Sequence, residues 1–181
     1  MLLIVRDPLD RFLSAFVDKC ILDTLGRNIR DNCYGCGKDV ACVLKRLYER
    51  ASSYADNPAN SLVVHDDHHF FPQNWHCSME KYRWNYHVLK YWSDPDRRRK
   101  TMNELNEILL KAKVPASDVA TISAQTEAYT NHSTVHSSDR IFYRDIIVSN
   151  ARLLQLLRSI YFHDYEIFGY SSSYADAKSE F

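Results

Sequence analysis

The chain has no excess of charge of either sign. Lysine and arginine together number 23, and so do aspartate and glutamate, in a sequence of 181 residues. Proteins that bind nucleic acid or an anionic membrane through their overall field carry a surplus of basic residues. We therefore expect no nucleic-acid partner, and any anion-binding site must be local.

Long apolar runs and low-complexity tracts are also missing. No stretch approaches the roughly 18 apolar residues that cross a bilayer, and the first apolar run ends at Arg6 and Asp7, too early for a signal peptide. Only 4 glycines and 5 prolines occur, which argues against a long linker. The sequence as given predicts a soluble, single domain over residues 1–181.

The cysteines are few but clustered: Cys20, Cys33, Cys36, Cys42 and Cys77. Disulfides of the secretory pathway explain the cluster most simply. The sequence Asn131-His132-Ser133, an acceptor site for N-glycosylation, fits the same lumenal compartment. A zinc site formed by three of the clustered cysteines and a histidine is the alternative, although a second CxxC pair is missing.

Two segments predict a strand followed directly by a helix. The apolar run Leu2 to Val5 leads to Asp7 and Pro8, a helix cap followed by a proline suited to the first turn. The strand-like run Tyr86 to Tyr91 leads to Asp94 and Pro95 in the same way. Two such units predict an α/β fold with a parallel sheet.

The remaining segments predict helices and one polar loop. The tail from Arg140 to Tyr170 has a helical pattern, and Ile141 and Phe142 belong to the face that we expect to be buried. Residues His65 to Gln73 combine histidines, aspartates and a proline, which predicts a loop facing a cleft.

The first strand-to-helix unit can form an anion site. Arg6 falls at the carboxyl end of the strand, where open α/β sheets bind ligands, and Ser14 follows eight residues later on the helix. A guanidinium holds phosphate through a planar fork of donors, and a hydroxyl adds a directional hydrogen bond. A salt bridge from Arg6 to Asp10 in a capped core helix is the alternative. Spacing alone leaves both open.

Three stretches of the chain resemble carbohydrate sulfotransferases. The run Val5 to Phe16, VRDPLDRFLSAF, closely resembles their RDPxxRxxSxF segment. The run His69 to Gln73, followed by Cys77, is similar to their H-x-x-P-Q element and its cysteine. The run Tyr161 to Tyr170 resembles their closing Y-x-x-D-[YF]-x-x-F-x-Y pattern, and the clustered cysteines are similar to those of nematode-like members.

This resemblance to Golgi carbohydrate sulfotransferases of the chondroitin 4-type implies a fold and a reaction. The implied fold is a three-layer α/β fold related to P-loop kinases, with a helical C-terminal part. The implied reaction moves sulfate from PAPS (3′-phosphoadenylyl sulfate) to a hydroxyl of a glycan or proteoglycan, without a metal. Arg6 and Ser14 would hold the 3′-phosphate. The implied location is the lumenal side of the Golgi membrane, with attachment through a segment that this chain lacks.

One departure from the family concerns the donor site. Members carry, upstream of the RDP segment, a basic loop that wraps the 5′-phosphosulfate, and this chain begins at the later strand. The sequence therefore predicts an N-terminally truncated fold with weak donor binding and poor turnover. A fragment of a longer enzyme, an inactive binding remnant and a protein stabilised by a Cys/His metal site are the readings left open.

Transfer to a hydroxyl requires a base, and His69 is the candidate catalytic residue. An imidazole titrates near neutral pH, whereas Asp66 and Asp67 would need raised pKa values. His65 and His68 are too close in sequence to be distinguished from it, and Gln73 is expected to orient the acceptor. The side chains in this stretch that could bind a metal fit no known spacing.

Two further segments carry polar residues with a possible role. The basic run Arg97 to Lys100 is expected on a solvated helix face, with steering of an acidic glycan as the alternative. The polar stretch His132 to Ser138 lies near the nucleotide in the resembling family, so a contact with the donor is expected there.

Overall fold

A computed structural model of the protein describes residues 1–22, 32–127 and 137–172. The N-glycosylation sequence at residues 131–133 and most of the polar stretch at 132–138 lie outside the described residues. The sheet consists of two parallel strands, β1 (Leu2–Arg6) and β2 (His87–Tyr91). This parallel pair, surrounded by helices, confirms the α/β prediction at the level of fold class.

Helices make up most of the remaining structure. The α-helices are α1 (Pro8–Phe16), α2 (Asn32–Gly35), α3 (Val40–Asp56), α4 (His65–Phe70), α5 (Met79–Tyr82), α6 (Pro95–Lys111), α7 (Ala116–Glu127), α8 (Ser138–Ser149), α9 (Ala151–Ile160) and α10 (Phe162–Phe168). Shorter elements are a π-helical stretch at Val17–Leu22 and 3₁₀ turns at Pro58–Asn60, Gln73–Trp75 and Arg83–Asn85.

Both strand-to-helix junctions have the predicted caps. The Asp7 side chain accepts a hydrogen bond of 2.9 Å from the backbone N–H of Asp10, and Pro8 occupies the first turn of α1. The Asp94 side chain accepts the N–H of Arg97 at 2.8 Å at the start of α6. These bonds satisfy N–H groups that a helix start leaves without an intrahelical acceptor.

Two disulfides tie the cysteine cluster to the core. Cys20 pairs with Cys33 and Cys36 pairs with Cys42, while Cys77 is exposed and carries a free thiol. Because a zinc ligand must be a thiolate, the paired cysteines cannot form the zinc site considered as an alternative. The disulfides agree with the secretory-pathway prediction.

Hydrogen bonds join the C-terminal part of the chain to the N-terminal strand and to the end of α4. The hydroxyl of Tyr161 donates to the carbonyl of Phe70 at 2.6 Å, and that of Tyr170 donates to the carbonyl of Val5 at 3.2 Å. Both rings are buried in one hydrophobic core. The prediction that Ile141 and Phe142 are buried is wrong, because they are 61% and 59% exposed and α8 buries Ile147 instead.

Within the described ranges, every helix is too short or too polar to cross a bilayer.

The two disulfides should differ in their contribution to stability. Cys20–Cys33 joins residues 13 apart and is buried, whereas Cys36–Cys42 joins residues 6 apart near the surface. Replacing Cys20 and Cys33 by alanine should lower the free energy of unfolding by about 2–4 kcal/mol. The matched Cys36→Ala/Cys42→Ala variant should lose less in the same denaturant titration. A larger loss from the second pair would contradict this order.

Candidate functional site

A cavity of about 390 Å³ opens at the carboxyl end of β1. We call it the strand-end cavity, and its polar and aromatic lining consists of Arg6, Arg11, Ser14, Asp18, His68, His69, Gln73 and Tyr91. The structure thus brings the three predicted site residues, Arg6, Ser14 and His69, onto one cavity. Among the described lining residues are two guanidiniums, two imidazoles and one carboxylate, that of Asp18. Asp18 forms an ion pair with Lys19 at 2.9 Å.

Arg6 is held in place by Asp10. Its Nε and Nη2 donate to Asp10 Oδ2 at 2.9 and 2.5 Å, and Nη2 also reaches Ser93 Oγ at 3.4 Å. The salt bridge considered as an alternative is therefore present. Arg6 nevertheless still lines the cavity, and its Nη1 has no hydrogen-bond partner among the described residues. Burial lowers the pKa of the Arg6 guanidinium. Electrostatic interactions with Tyr91, Tyr170 and Asp7 raise this pKa and offset part of the effect.

Asp10 is the centre of a buried charge cluster. It is 3% exposed, receives the Ser93 hydroxyl at 2.9 Å and forms an ion pair with Arg140 as well as with Arg6. Burial, followed by the positive charge of Arg6, lowers the pKa of Arg140 to about 10. Both arginines remain charged at neutral pH, so this one carboxylate is surrounded by two guanidiniums.

The polar face of the first helix supplies a residue that the sequence analysis did not select. Arg11 lines the cavity, and its Nη1 donates to the carbonyl of Phe71 at 2.8 Å. Arg11 and Ser14 are three residues apart, a spacing that places two side chains on one helix face. The three-residue spacing between Arg11 and Ser14 could therefore have identified Arg11 from the sequence.

His69 contacts a second histidine. Its Nε2 lies 3.3 Å from Nε2 of His65, so one ring donates and the other accepts. Burial, followed by the positive charge of Lys19 and of His65, lowers the pKa of His69 below its ordinary value of 6.5. The ring is therefore mainly neutral at neutral pH and can accept a proton.

The segment that carries His69 is a helix, not the predicted loop. Residues His65–Phe70 form α4, and the Asp67 carboxylate accepts the N–H of Val64 at 2.8 Å in its first turn. Asp67 also binds Arg50 Nε at 2.8 Å, and Asp66 accepts the N–H of Tyr34 at 2.9 Å. Because both aspartates are buried and bonded, they fix α4, with His65 and His68 exposed and His69 half-buried.

Gln73 bridges the cavity and the sheet. Its Oε1 accepts the N–H of Arg6 at 2.9 Å and its Nε2 donates to the carbonyl of Arg6 at 2.8 Å. The Asp164 carboxylate, fully buried, accepts the N–H groups of Gln73 at 2.7 Å and Asn74 at 2.9 Å. The amide of Gln73 therefore positions Arg6. Its role in orienting an acceptor stays a prediction, and Gln73 lines the strand-end cavity.

The remaining candidate groups lie elsewhere or form no site. Over the described parts of the chain, no three histidine, cysteine, aspartate or glutamate side chains are arranged to hold a metal ion. The basic run at the start of α6 does not line the strand-end cavity. Its Arg98 and Arg99 border a different cavity, and Arg97 packs 4.9 Å from the centre of the Trp92 ring.

Comparisons with known proteins identify a matching family and several similar proteins. The sequence profile described as the sulfotransferase family matches residues 1–171. Carbohydrate sulfotransferase chst-1 of Caenorhabditis elegans is 28% identical over 177 residues, which are 97% of this chain and 54% of that protein. Putative sulfotransferase vep-2 of the same nematode is 31% identical over 143 residues, 78% of this chain and 43% of that protein.

A third relative is the uncharacterized protein C18B2.2 of Caenorhabditis elegans. It is 30% identical over 170 residues, which cover 93% of this chain and 46% of that protein. The chain thus spans about half the length of the curated relatives it matches. No solved structure matches the chain.

Removal of Asp10 should destabilise the protein strongly. In an Asp10→Ala variant two buried or half-buried guanidiniums lose their counter-charge, which typically costs about 3–5 kcal/mol. The matched control is Asp96→Ala, which removes an exposed ion pair with Arg99 and should change stability by less than about 1 kcal/mol. Denaturant titration of both variants tests this, and equal effects would show that the charge cluster does not stabilise the fold.

Proposed function

The chain belongs to the sulfotransferase family, and from that premise we propose that it transfers sulfate from PAPS to a hydroxyl group of a glycan. The acceptor class follows the name of the relative chst-1, a carbohydrate sulfotransferase. A glycosaminoglycan of the chondroitin type is the acceptor that we infer from the resemblance of the motifs. The chain's own share in this reaction lies in the strand-end cavity.

The observation that carries the proposal is the position of Arg6 and Ser14. They come from a strand end and from the following helix, yet both line one cavity. Arg6 cannot swing away, because Asp10 and the Gln73 pairing fix its side chain and backbone. A fixed guanidinium and a nearby hydroxyl make a preorganised site for a phosphate group.

The lining residues fit the 3′-phosphate of the donor. Nη1 of Arg6 has no partner among the described residues and can donate to a phosphate oxygen. Arg11 adds a second guanidinium to the same lining, and the cavity volume of about 390 Å³ falls within the usual range for ligand sites. We assign Arg6 and Ser14 to the phosphate and Arg11 to its surrounding charge. Bound PAPS would supply the sulfuryl group.

His69 is the proposed base. It lines the same cavity as Arg6, and its lowered pKa keeps the imidazole neutral and able to take the proton of an acceptor hydroxyl. The Nε2 atoms of His65 and His69 share a hydrogen bond, which orients the His69 ring.

This chain accounts for part of the donor site. We assign binding of the 3′-phosphate to this chain. The described residues include no basic loop for the 5′-phosphosulfate. An inactive member that binds the nucleotide without transferring sulfate is the second candidate. The two disulfides support a place in the oxidising lumen of the secretory pathway, and we propose the Golgi.

Binding of PAP, the desulfated donor, tests the nucleotide site. Calorimetric titration should show binding that Arg6→Ala weakens roughly tenfold or more, because a hydrogen bond to a charged group is lost. Arg6→Lys should weaken it too, since lysine keeps the charge but lacks the planar fork. Ser14→Ala should have a smaller effect, about fivefold.

Arg99→Ala is the control for this titration, because it removes an exposed arginine outside the strand-end cavity. Circular dichroism confirms that each variant is folded. Absence of PAP binding by the folded protein would refute the proposed function, and binding without sulfate transfer would favour the inactive member.

The pH dependence of sulfate transfer tests His69. Activity needs the neutral imidazole, so kcat/KM should fall as the pH drops through a pKa below 6.5. His69→Ala should reduce the rate by about 10²–10⁴ and abolish this acid limb. The control His87→Ala removes an exposed ring that pairs with Glu104 at 2.9 Å and should leave the profile unchanged. NMR titration of the His69 ring gives the same pKa without turnover, and a value above 6.5 would contradict this role.

A further inference from the structure

A second and larger cavity lies beside the strand-end cavity. It has a volume of about 760 Å³, and we call it the aromatic groove after its main lining residues: Tyr54, Trp75 and Trp84, with Asn74, Arg83 and His163. The 3₁₀ turn Gln73–Trp75 separates the two sites. Gln73 lines the strand-end cavity, whereas Asn74 and Trp75 line the groove. At this turn the groove adjoins the strand-end cavity, whereas Trp84 precedes β2 and lies toward the opposite end of the sheet.

The groove offers flat aromatic surfaces to a ligand. Trp84 is 82% exposed, which is unusual for so large an apolar ring and points to a partner. The rings of Tyr54 and Trp75 stack with centres 5.4 Å apart, which holds the Trp75 side of the groove in place. A pyranose ring has a face of C–H groups that packs on such a surface while its hydroxyls point outward.

Polar and charged groups lie close to the exposed indole. The Arg83 guanidinium lies over one face of the Trp84 ring, 4.0 Å from its centre, so a ligand on the other face would bind close to a cation. Arg83 can bind a carboxylate or a sulfate through two parallel hydrogen bonds. Asn74 and His163 add side chains that can bond to hydroxyl groups. One carboxylate, Glu80, is present among the described lining residues.

The turn shared by the two sites is held by hydrogen bonds to one buried side chain. Asp164 accepts both N–H groups of Gln73 and Asn74, and the neighbouring His163 faces the groove from the same helix. A glycan long enough to extend along the groove from Trp84 to Trp75 would reach the turn that borders the cavity containing His69. Positioning of this kind lowers the entropic barrier of a transfer reaction.

We propose that the aromatic groove binds the acceptor as an acidic oligosaccharide, with a sugar ring on Trp84 and a carboxylate or sulfate on Arg83. The inference rests on the proposed function for its place in the reaction. The binding itself requires neither PAPS nor turnover, so it is measured separately from the donor site.

The test is a calorimetric titration of the full chain with an unsulfated chondroitin hexasaccharide, without nucleotide. Trp84→Ala should weaken binding about tenfold or more, as removal of an aromatic anchor does at protein interfaces. Arg83→Ala should weaken binding roughly fivefold at low salt, because the ion pair is exposed and screened. The matched control is Tyr48→Ala, since Tyr48 is an exposed aromatic residue of α3 outside the groove.

A neutral hexasaccharide of N-acetylglucosamine provides the second arm. It should bind more weakly than chondroitin and should not respond to Arg83→Ala. Equal affinity for the neutral and the acidic glycan would overturn the assignment of Arg83. Lack of binding of either glycan by the folded protein, or an unchanged affinity of Trp84→Ala, would overturn the groove as an acceptor site.

Parallel titrations with PAP separate this inference from the proposed function. Trp84→Ala should bind PAP as the unsubstituted protein does, which also shows that the variant is folded. Arg6→Ala should bind chondroitin normally. If PAP fails to bind while chondroitin binds through Trp84, the proposed reaction fails and the groove stands; the reverse result removes the groove and leaves the donor site.

Discussion

The carboxylate of Asp164 links the C-terminal helix α10 to the segment after α4, and the candidate site depends on it. It is fully buried and accepts the backbone N–H groups of Gln73 and Asn74. Without it, two partly buried N–H groups would lose their acceptors, at a typical cost of up to about 1–3 kcal/mol each. Gln73 in turn pairs with both backbone groups of Arg6. A helix near residue 164 thus determines the position of an arginine at residue 6.

The three stretches that carry the family resemblance form one hydrogen-bonded unit. The strand end contributes Arg6 and Asp10, the segment after α4 contributes Gln73, and the closing helix contributes Asp164 and Tyr161. Since each bond fixes a group that the next bond needs, the stretches depend on one another although they are far apart in sequence. This explains in physical terms why these residue types occur together in one chain.

Local signals allowed the sequence to predict the strand-to-helix junctions, the parallel pair and the disulfide cluster. Asp7 before Pro8 and Asp94 before Pro95 are caps, and a cap is a property of neighbouring residues. The sequence also placed Arg6 at a strand end, where the structure has it. The exposure of Ile141 could not be predicted, because it depends on which face of α8 meets the core.

Contacts between distant residues account for what the sequence did not reveal. Asp67 turns a histidine-rich stretch into a helix through bonds to Val64 and Arg50, and the partner at position 50 lies 17 residues away. The ion pair of Asp10 with Arg140 spans the chain. From the sequence, a salt bridge and an anion site were alternatives for Arg6. The structure contains the salt bridge, through Nε and Nη2, and also places Arg6 on the lining of the strand-end cavity, so the salt bridge does not remove Arg6 from the cavity.

The turn Gln73–Trp75 has the strand-end cavity on one side and the aromatic groove on the other. A cavity with guanidiniums suits a phosphate, and a groove with exposed indole suits the face of a sugar. Transfer between two bound molecules requires that their sites keep a constant separation. The three-residue turn between the two sites has its first two N–H groups bonded to a buried carboxylate, which favours such a separation. Asp164 is therefore as important for the relation between the sites as for the fold, although it lines neither of them.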